Sequence, residues 1–292
     1  MRSCLVLLLS LLCAASPVQA WNLVIADPAF PDVQKISSGG SLSTFVTGVG
    51  QPSGIAIDSS DNIYLSDISS NSILKVTPGG VVTTFASGLN DPNDLAFDSS
   101  GNLYESDVGT ENIIKITPGG VQSVFVSMGV SAVGGLVFDN SGNLFAASTS
   151  TTSIYKITPG GVLSTFLTGV ASPDDMAIDG SNNLYVTSST TNSIFKVTPG
   201  GVKTTLISGL NVPTAIVFNP LDNNLYEVDS GFNTIDQITL GGVETDFEVG
   251  FNSSGAEVIT IETVPEPGTC AVLSCGLGLL ALALRLKRRA AA

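Results

Sequence analysis

Asp91, Asn93 and Asp94 stand together in one stretch of this chain, Asp107 and Glu111 in the next, and Asp174 with Asp175 further on. Carboxylate and amide oxygens grouped in this way suit Ca2+ or another hard divalent cation, which takes roughly six to eight oxygen ligands. They equally suit a solvated acidic rim in which Asp and Asn side chains cap turns. Residue types alone leave both readings open. Other chemistries are excluded. The chain has no histidine, and Cys4, Cys13, Cys270 and Cys275 lie near its ends, so neither a Ser-His-Asp nor a Cys-His nucleophile can be assembled. Its Gly-Gly pairs are not followed by Lys-Ser/Thr, which rules out a phosphate-cradling loop of that type. Trp21, the single tryptophan, offers no sugar-stacking platform alone.

The elements that must position these groups repeat. Gly39-Gly40, Gly79-Gly80, Gly119-Gly120, Gly160-Gly161, Gly200-Gly201 and Gly241-Gly242 recur every 40 or 41 residues. Lys35, Lys75, Lys115, Lys156, Lys196 and then Gln237 precede the doublets at one fixed spacing. Phe45, Phe85, Phe125, Phe166, Leu206 and Phe247 follow them at matching positions. One unit, residues 51–90, shows the physics. Ile55-Ala56-Ile57-Asp58 is a short apolar strand, Ser59-Ser60-Asp61-Asn62 a turn, and Ile63 to Asp67 a second strand. Ser72 to Thr77 alternates as a third strand, Pro78-Gly79-Gly80 turns, and Val81 to Phe85 is the fourth. Four short antiparallel strands per repeat predict the blade of an all-β propeller.

Five complete units begin near Gln51, Asp91, Ala132, Ser172 and Val212. A sixth is divided between the ends. Asn22 to Asp27 matches Asn62 to Asp67, and the missing first strand reappears as Val258-Ile259-Thr260-Ile261-Glu262. A closing blade built from both termini leaves no open sheet edge, so the expected fold is a six-bladed β-propeller over residues 21–263. Its strand-three lysines are expected on exposed blade faces, each near an acidic neighbour. Between Trp21 and Val264 lie 24 of the 25 acidic residues and 6 of the 11 basic ones, a net charge of −18. Nucleic acid, whose phosphates need Lys and Arg, is therefore not an expected partner.

The two ends read as addresses. Residues 1–20 carry Arg2, a short apolar run and the pattern Val18-Gln19-Ala20, a secretory signal with cleavage expected between Ala20 and Trp21. Residues 264–292 carry Val264-Pro265-Glu266-Pro267, an apolar stretch from Cys270 to Leu284, and a basic stop of Arg285, Lys287, Arg288 and Arg289. One transmembrane helix is expected there, with the basic end cytoplasmic.

Pro92 to Tyr104, followed by Asp107, Ile113 to Val121 and Phe125, resembles the NHL-type repeat and the related propellers of streptogramin lyase-like and gluconolactonase-like proteins. The resemblance implies a propeller over residues 21–263. It implies no one activity, since such propellers host hydrolases, lyases and binding modules. The chain departs from streptogramin lyases in lacking histidine, and the Glu, Asn and Asp metal ligands of gluconolactonase-like enzymes do not align here residue by residue. The tail is similar, part by part, to the PEP-CTERM sorting signal. That implies processing by an exosortase-type enzyme, an inner-membrane anchor during processing, and a final location at the cell surface or outside the cell. The combined expectation is an exported, non-enzymatic binding or scaffold module for a glycan or protein ligand. The alternative is a metal-dependent lactonase or hydrolase with carboxylates at the channel mouth.

Overall fold

A computed structural model describes residues 20–249 and 258–264. The leader before Ala20 and the expected helix and basic stop after Val264, together with Pro265, Glu266 and Pro267, lie outside the described residues. Among the described residues no helix is long and apolar enough to cross a membrane.

Among the described residues twenty-four strands form six four-stranded sheets. The closing blade takes β1 (Trp21–Asp27), β2 (Phe30–Ser37) and β3 (Leu42–Thr47) from the N-terminal side. Blade 1 is β4 (Pro52–Ile57), β5 (Ile63–Asp67), β6 (Ser72–Val76) and β7 (Val82–Ser87). Blade 2 is β8 (Pro92–Phe97), β9 (Leu103–Asp107), β10 (Asn112–Ile116) and β11 (Gln122–Ser127). Blade 3 is β12 (Val133–Phe138), β13 (Leu144–Ser148), β14 (Ser153–Ile157) and β15 (Leu163–Thr168). Blade 4 is β16 (Pro173–Ile178), β17 (Leu184–Ser188), β18 (Ser193–Val197) and β19 (Lys203–Ser208). Blade 5 is β20 (Pro213–Asn219), β21 (Asn224–Asp229), β22 (Thr234–Thr239) and β23 (Glu244–Val249). Then β24 (Val258–Thr263) joins the first sheet in the order β24-β1-β2-β3. Both termini thus supply the closing blade, as the repeat register predicts. Glu262 of β24 fastens it: its carboxylate accepts from Asn22 Nδ2 at 2.8 Å and from Lys35 Nζ at 2.5 Å.

Each repeated residue has a local task. Asp58 accepts hydrogen bonds from the Ser60 and Asn62 amides, the Asn62 side chain and the Tyr64 hydroxyl, which closes the first hairpin. Burial would raise the pKa of its carboxyl. The donors from Asn62, Ser60 and Tyr64 outweigh that and hold it below the usual range. Asp98 and Asp179 do the same in blades 2 and 4, and Asp139 does so in blade 3 without the hydroxyl, since Phe145 stands there. The Gly-Gly doublet makes the β6–β7 turn, where Gly80 sits at φ +79° and donates to the Thr77 carbonyl.

The core lies between blades. Ala56, Tyr64, Ile73 and Ala86 of blade 1 pack with Leu95, Leu103, Ile114 and Ile116 of blade 2, and equivalent clusters recur around the ring. Tyr64 stands edge-on to Phe85 of its own blade at 4.9 Å and to Phe97 of the next at 5.1 Å, a geometry aromatic rings favour. The strand-three lysines are half-buried rather than exposed. Lys75 lies 5.0 Å over the Tyr64 ring and 3.8 Å from Asp58, and Lys115 and Lys156 repeat the arrangement. Their aliphatic stems cover the aromatic layer while the ammonium reaches the hairpin carboxylate.

Candidate functional site

The innermost strands β4, β8, β12, β16, β20 and β24 wall a central cavity of about 790 Å3. Toward their N-terminal ends the lining includes Asp91, Val108, Ala132 and Thr149. Toward their C-terminal ends it is apolar, with Ile57, Phe97, Phe138, Ile178 and Phe218. Five of the seven residues expected at a ligand-binding rim line this one cavity: Asp91, Asn93, Asp94, Asp174 and Asp175.

Asp107 and Glu111 do not line it. Asp107 is buried at the end of β9, where its carboxylate accepts from the Asn90 amide and from the amide and hydroxyl of Thr110. It thereby ties the connection from blade 1 to its own blade's second turn. Asp67 does this through Gln51 and Ser69, and Asp229 through Asn211 and Phe232. Ser148 and Ser188 reverse the polarity, donating to the carbonyls of Ser131 and Ala171. Glu111 is exposed in a turn at φ +57°.

Asp94 and Asp175 occupy the same repeat position two blades apart, at register shifts of β8 and β16 that turn an extra residue inward. Asp94 Oδ2 accepts the Leu136 amide of β12 at 2.5 Å, and Asp175 Oδ2 accepts the Ile216 amide of β20 at 2.8 Å. Each therefore laces its blade to the next across the channel wall. The blades between carry residues without a reaching side chain at this level. A Cβ on Gly135 would stand 2.8 Å from Asp175 Oδ1, and one on Gly54 would stand 2.1 Å from the Asn93 carbonyl. Backbones approach so closely at Gly54 and Gly135 that a side chain there must displace its neighbour, whereas blade 5 carries Ala215 at this position.

The two carboxylates open on the channel but are surrounded by protein. Burial raises both pKa values; for Asp94 the charge of Asp175 adds to it, against partial relief from the Leu136 and Leu95 amides. Asp174 is also raised by burial, and its Oδ2 accepts the Ser189 amide at 2.8 Å. Carboxyls raised in this way can stay protonated, or take a cation or a ligand's hydrogen-bond donor in place of an ionised charge.

Two further acids escape notice when repeats are read for their regularities. Glu105 and Glu227 hold the same position in β9 and β21, where other blades have Leu65, Ala146 or Val186. Both are fully buried; neither oxygen of Glu227 has a hydrogen-bond partner, and Glu105 has no donor beyond the nearby Asn93 amide. Burial, with the charge of Asp107 added, pushes Glu105 up to about 9. The available signal was the departure of these two positions from the apolar residue of the other blades.

Residues 263–289 match the PEP-CTERM protein-sorting motif. No curated protein matches the chain. Solved structures similar to it include a nidogen/laminin complex, with TM-score 0.75 and 21% identity over 82% of this chain and 98% of that one. A streptogramin B lyase has TM-score 0.59 and 16% identity over 84% and 88%, respectively. A gluconolactonase from Xanthomonas campestris has TM-score 0.64 and 17% identity over 71% and 79%. At these identities the likeness establishes the six-bladed propeller fold, and the neighbours include binding modules and enzymes alike. The sorting motif implies export, exosortase processing and surface sorting.

Proposed function

We propose that the propeller is a non-enzymatic binding or scaffold module, displayed at the cell surface or in the extracellular matrix after its tail is processed. The reading includes residues 1–20 as a cleaved signal peptide and 264–292 as a sorting signal with a membrane helix. One observation carries it: the channel carboxylates are engaged in lacing neighbouring blades, Asp94 to Leu136 and Asp175 to Ile216. Side chains that hold the ring together present a rigid surface, with Asp91, Asn93 and Asp174 at its channel rim for a glycan or protein ligand.

The test is retention of the purified chain on the producing cell's polysaccharide and on surface-protein extracts. Retention reduced by Asp91→Ala or Asp174→Asn is the expected outcome. A second reading, a metal-dependent lactonase or hydrolase, is favoured by the mutual charge repulsion of Asp94 and Asp175 in the channel. Hydrolysis of a lactone or ester panel with Ca2+, Mg2+ or Zn2+, abolished by Asp175→Asn, would replace the binding reading with that one.

A further inference from the structure

Blade 5 departs from the repeat at facing positions. Glu227 of β21 pairs directly with Asp236 of β22, and Asp229 lies two residues from Glu227 on the same face. In blades 1 to 4 the position of Asp236 holds Leu74, Ile114, Tyr155 or Phe195, in the closing blade Gln34, and the strand-three lysine beside it is Gln237 here. Two apolar residues have thus become carboxylates while the neighbouring cation of the repeat is missing. Across β22–β23, Asp246 stands opposite Asp236 and adds a further negative charge. Among the described residues no lysine or arginine forms an ion pair with any of these acids.

One carboxylate oxygen each from Glu227, Asp229 and Asp236 lies within 4.8 Å of the others, and all three residues are buried. Glu227 has no exposed surface, and both of its oxygens lack hydrogen-bond partners. Asp236 accepts from the Thr234 hydroxyl through Oδ2, while its Oδ1 is buried without a partner. Asp229 accepts the Asn211 and Phe232 amides, which fix its orientation and leave each oxygen a second lone pair. Buried acceptors that face one another with no donor between them are costly unless a cation fills the space.

We propose that Glu227, Asp229 and Asp236 bind a divalent cation, Ca2+, inside blade 5. The all-oxygen, all-carboxylate donor set suits a hard ion. Oxygens on opposite sides of Ca2+ stand roughly 4.6–5.2 Å apart, a span this cluster can meet, whereas Mg2+ draws its ligands closer and keeps several waters. Glu105 is the internal control. It occupies the equivalent position in blade 2 and has Asp107 beside it as Glu227 has Asp229, but its cross-strand neighbour is Ile114, so the third carboxylate is missing. The site is independent of whatever the channel binds.

Calorimetry and thermal melting of the purified full chain, stripped with EGTA and titrated with CaCl2 or MgCl2, test the proposal. One Ca2+ per chain is expected, with a melting temperature about 5 °C or more higher in saturating Ca2+ and a smaller response to Mg2+. Glu227→Gln and Asp236→Asn should each weaken Ca2+ binding at least tenfold. The double variant Glu227→Leu/Asp236→Leu restores the residues of blade 1, and should fold, melt above the stripped wild type and ignore Ca2+. Glu105→Gln should keep the full response. Absence of any Ca2+ heat and melting shift in the wild type would overturn the proposal. So would a Ca2+ response unchanged in the folded double variant, because the ion would then be bound elsewhere.

Discussion

Glu105→Gln should make the protein more stable at neutral pH by an amount that grows as pH rises. Glu105 is fully buried, and burial together with the charge of Asp107 outweighs the nearby Asn93 amide and pushes its carboxyl from 4.5 up to about 9. In the unfolded chain the group ionises near its ordinary value. Between pH 4.5 and 9 the folded state therefore binds more protons than the unfolded one, and stability falls as pH rises. At pH 7 the loss is about 3 kcal/mol, at about 1.4 kcal/mol per unit from 4.5 to 7. Glutamine has nearly the same shape and no charge, so the variant should escape this loss. For a propeller of this length the gain corresponds to a melting temperature roughly 6–12 °C higher at pH 7. Below pH 4, where Glu105 is neutral in both states, the two proteins should melt close together. Paired melts from pH 4 to 9 give the measurement, and acids common to both chains cancel in the difference. A gap that stays constant over that range, or widens toward low pH, would refute the assignment of a buried neutral acid.

Three other perturbations probe the frame. Gly54→Ala drives a Cβ to 2.1 Å from the Asn93 carbonyl and should cost about 3 kcal/mol or more, read as a loss of midpoint in urea. Glu262→Ala removes the acceptor for Asn22 and Lys35 and strands a half-buried ammonium. The cost should be about 2–4 kcal/mol, with hydrogen exchange rising first in β24 and β1. Val212 holds φ +65° at the start of blade 5, where Asp91 and Ser172 stand in other blades. Val212→Asn should therefore stabilise by about 1 kcal/mol, visible as a melting temperature 2–4 °C higher, since a β-branched residue is strained there.

The four-strand unit, the number of blades and the closure by both termini were legible in the sequence, because turn chemistry and strand alternation are local and here repeat six times. Gly79-Gly80 marks its turn wherever the chain lies, and Val258 to Glu262 reads as the missing strand of the first sheet by matching alone. The sorting motif is local too, a run of adjacent residues that needs no fold to be recognised. The site is a different matter. Asp107 and Asp94 look alike as acidic residues near turns, yet one staples a loop to its own blade while the other crosses to the next around the channel. The lysines read as exposed because alternation gives a face but not what covers it, and the aromatic layer that half-buries them comes from strands elsewhere in the blade. Asp91, Asn93, Asp94, Asp174 and Asp175 share one cavity only because strands two repeats apart in the chain return to the same axis. Glu227 and Asp236 become a cluster only when β21 pairs with β22 in one register, since a slip of one residue would put their side chains on opposite faces. Repetition in the sequence determined the ring. Which acids meet, and which are left without a donor, is decided by pairing between strands and close approach between blades, where distances of a few ångströms separate a turn cap from a cation site.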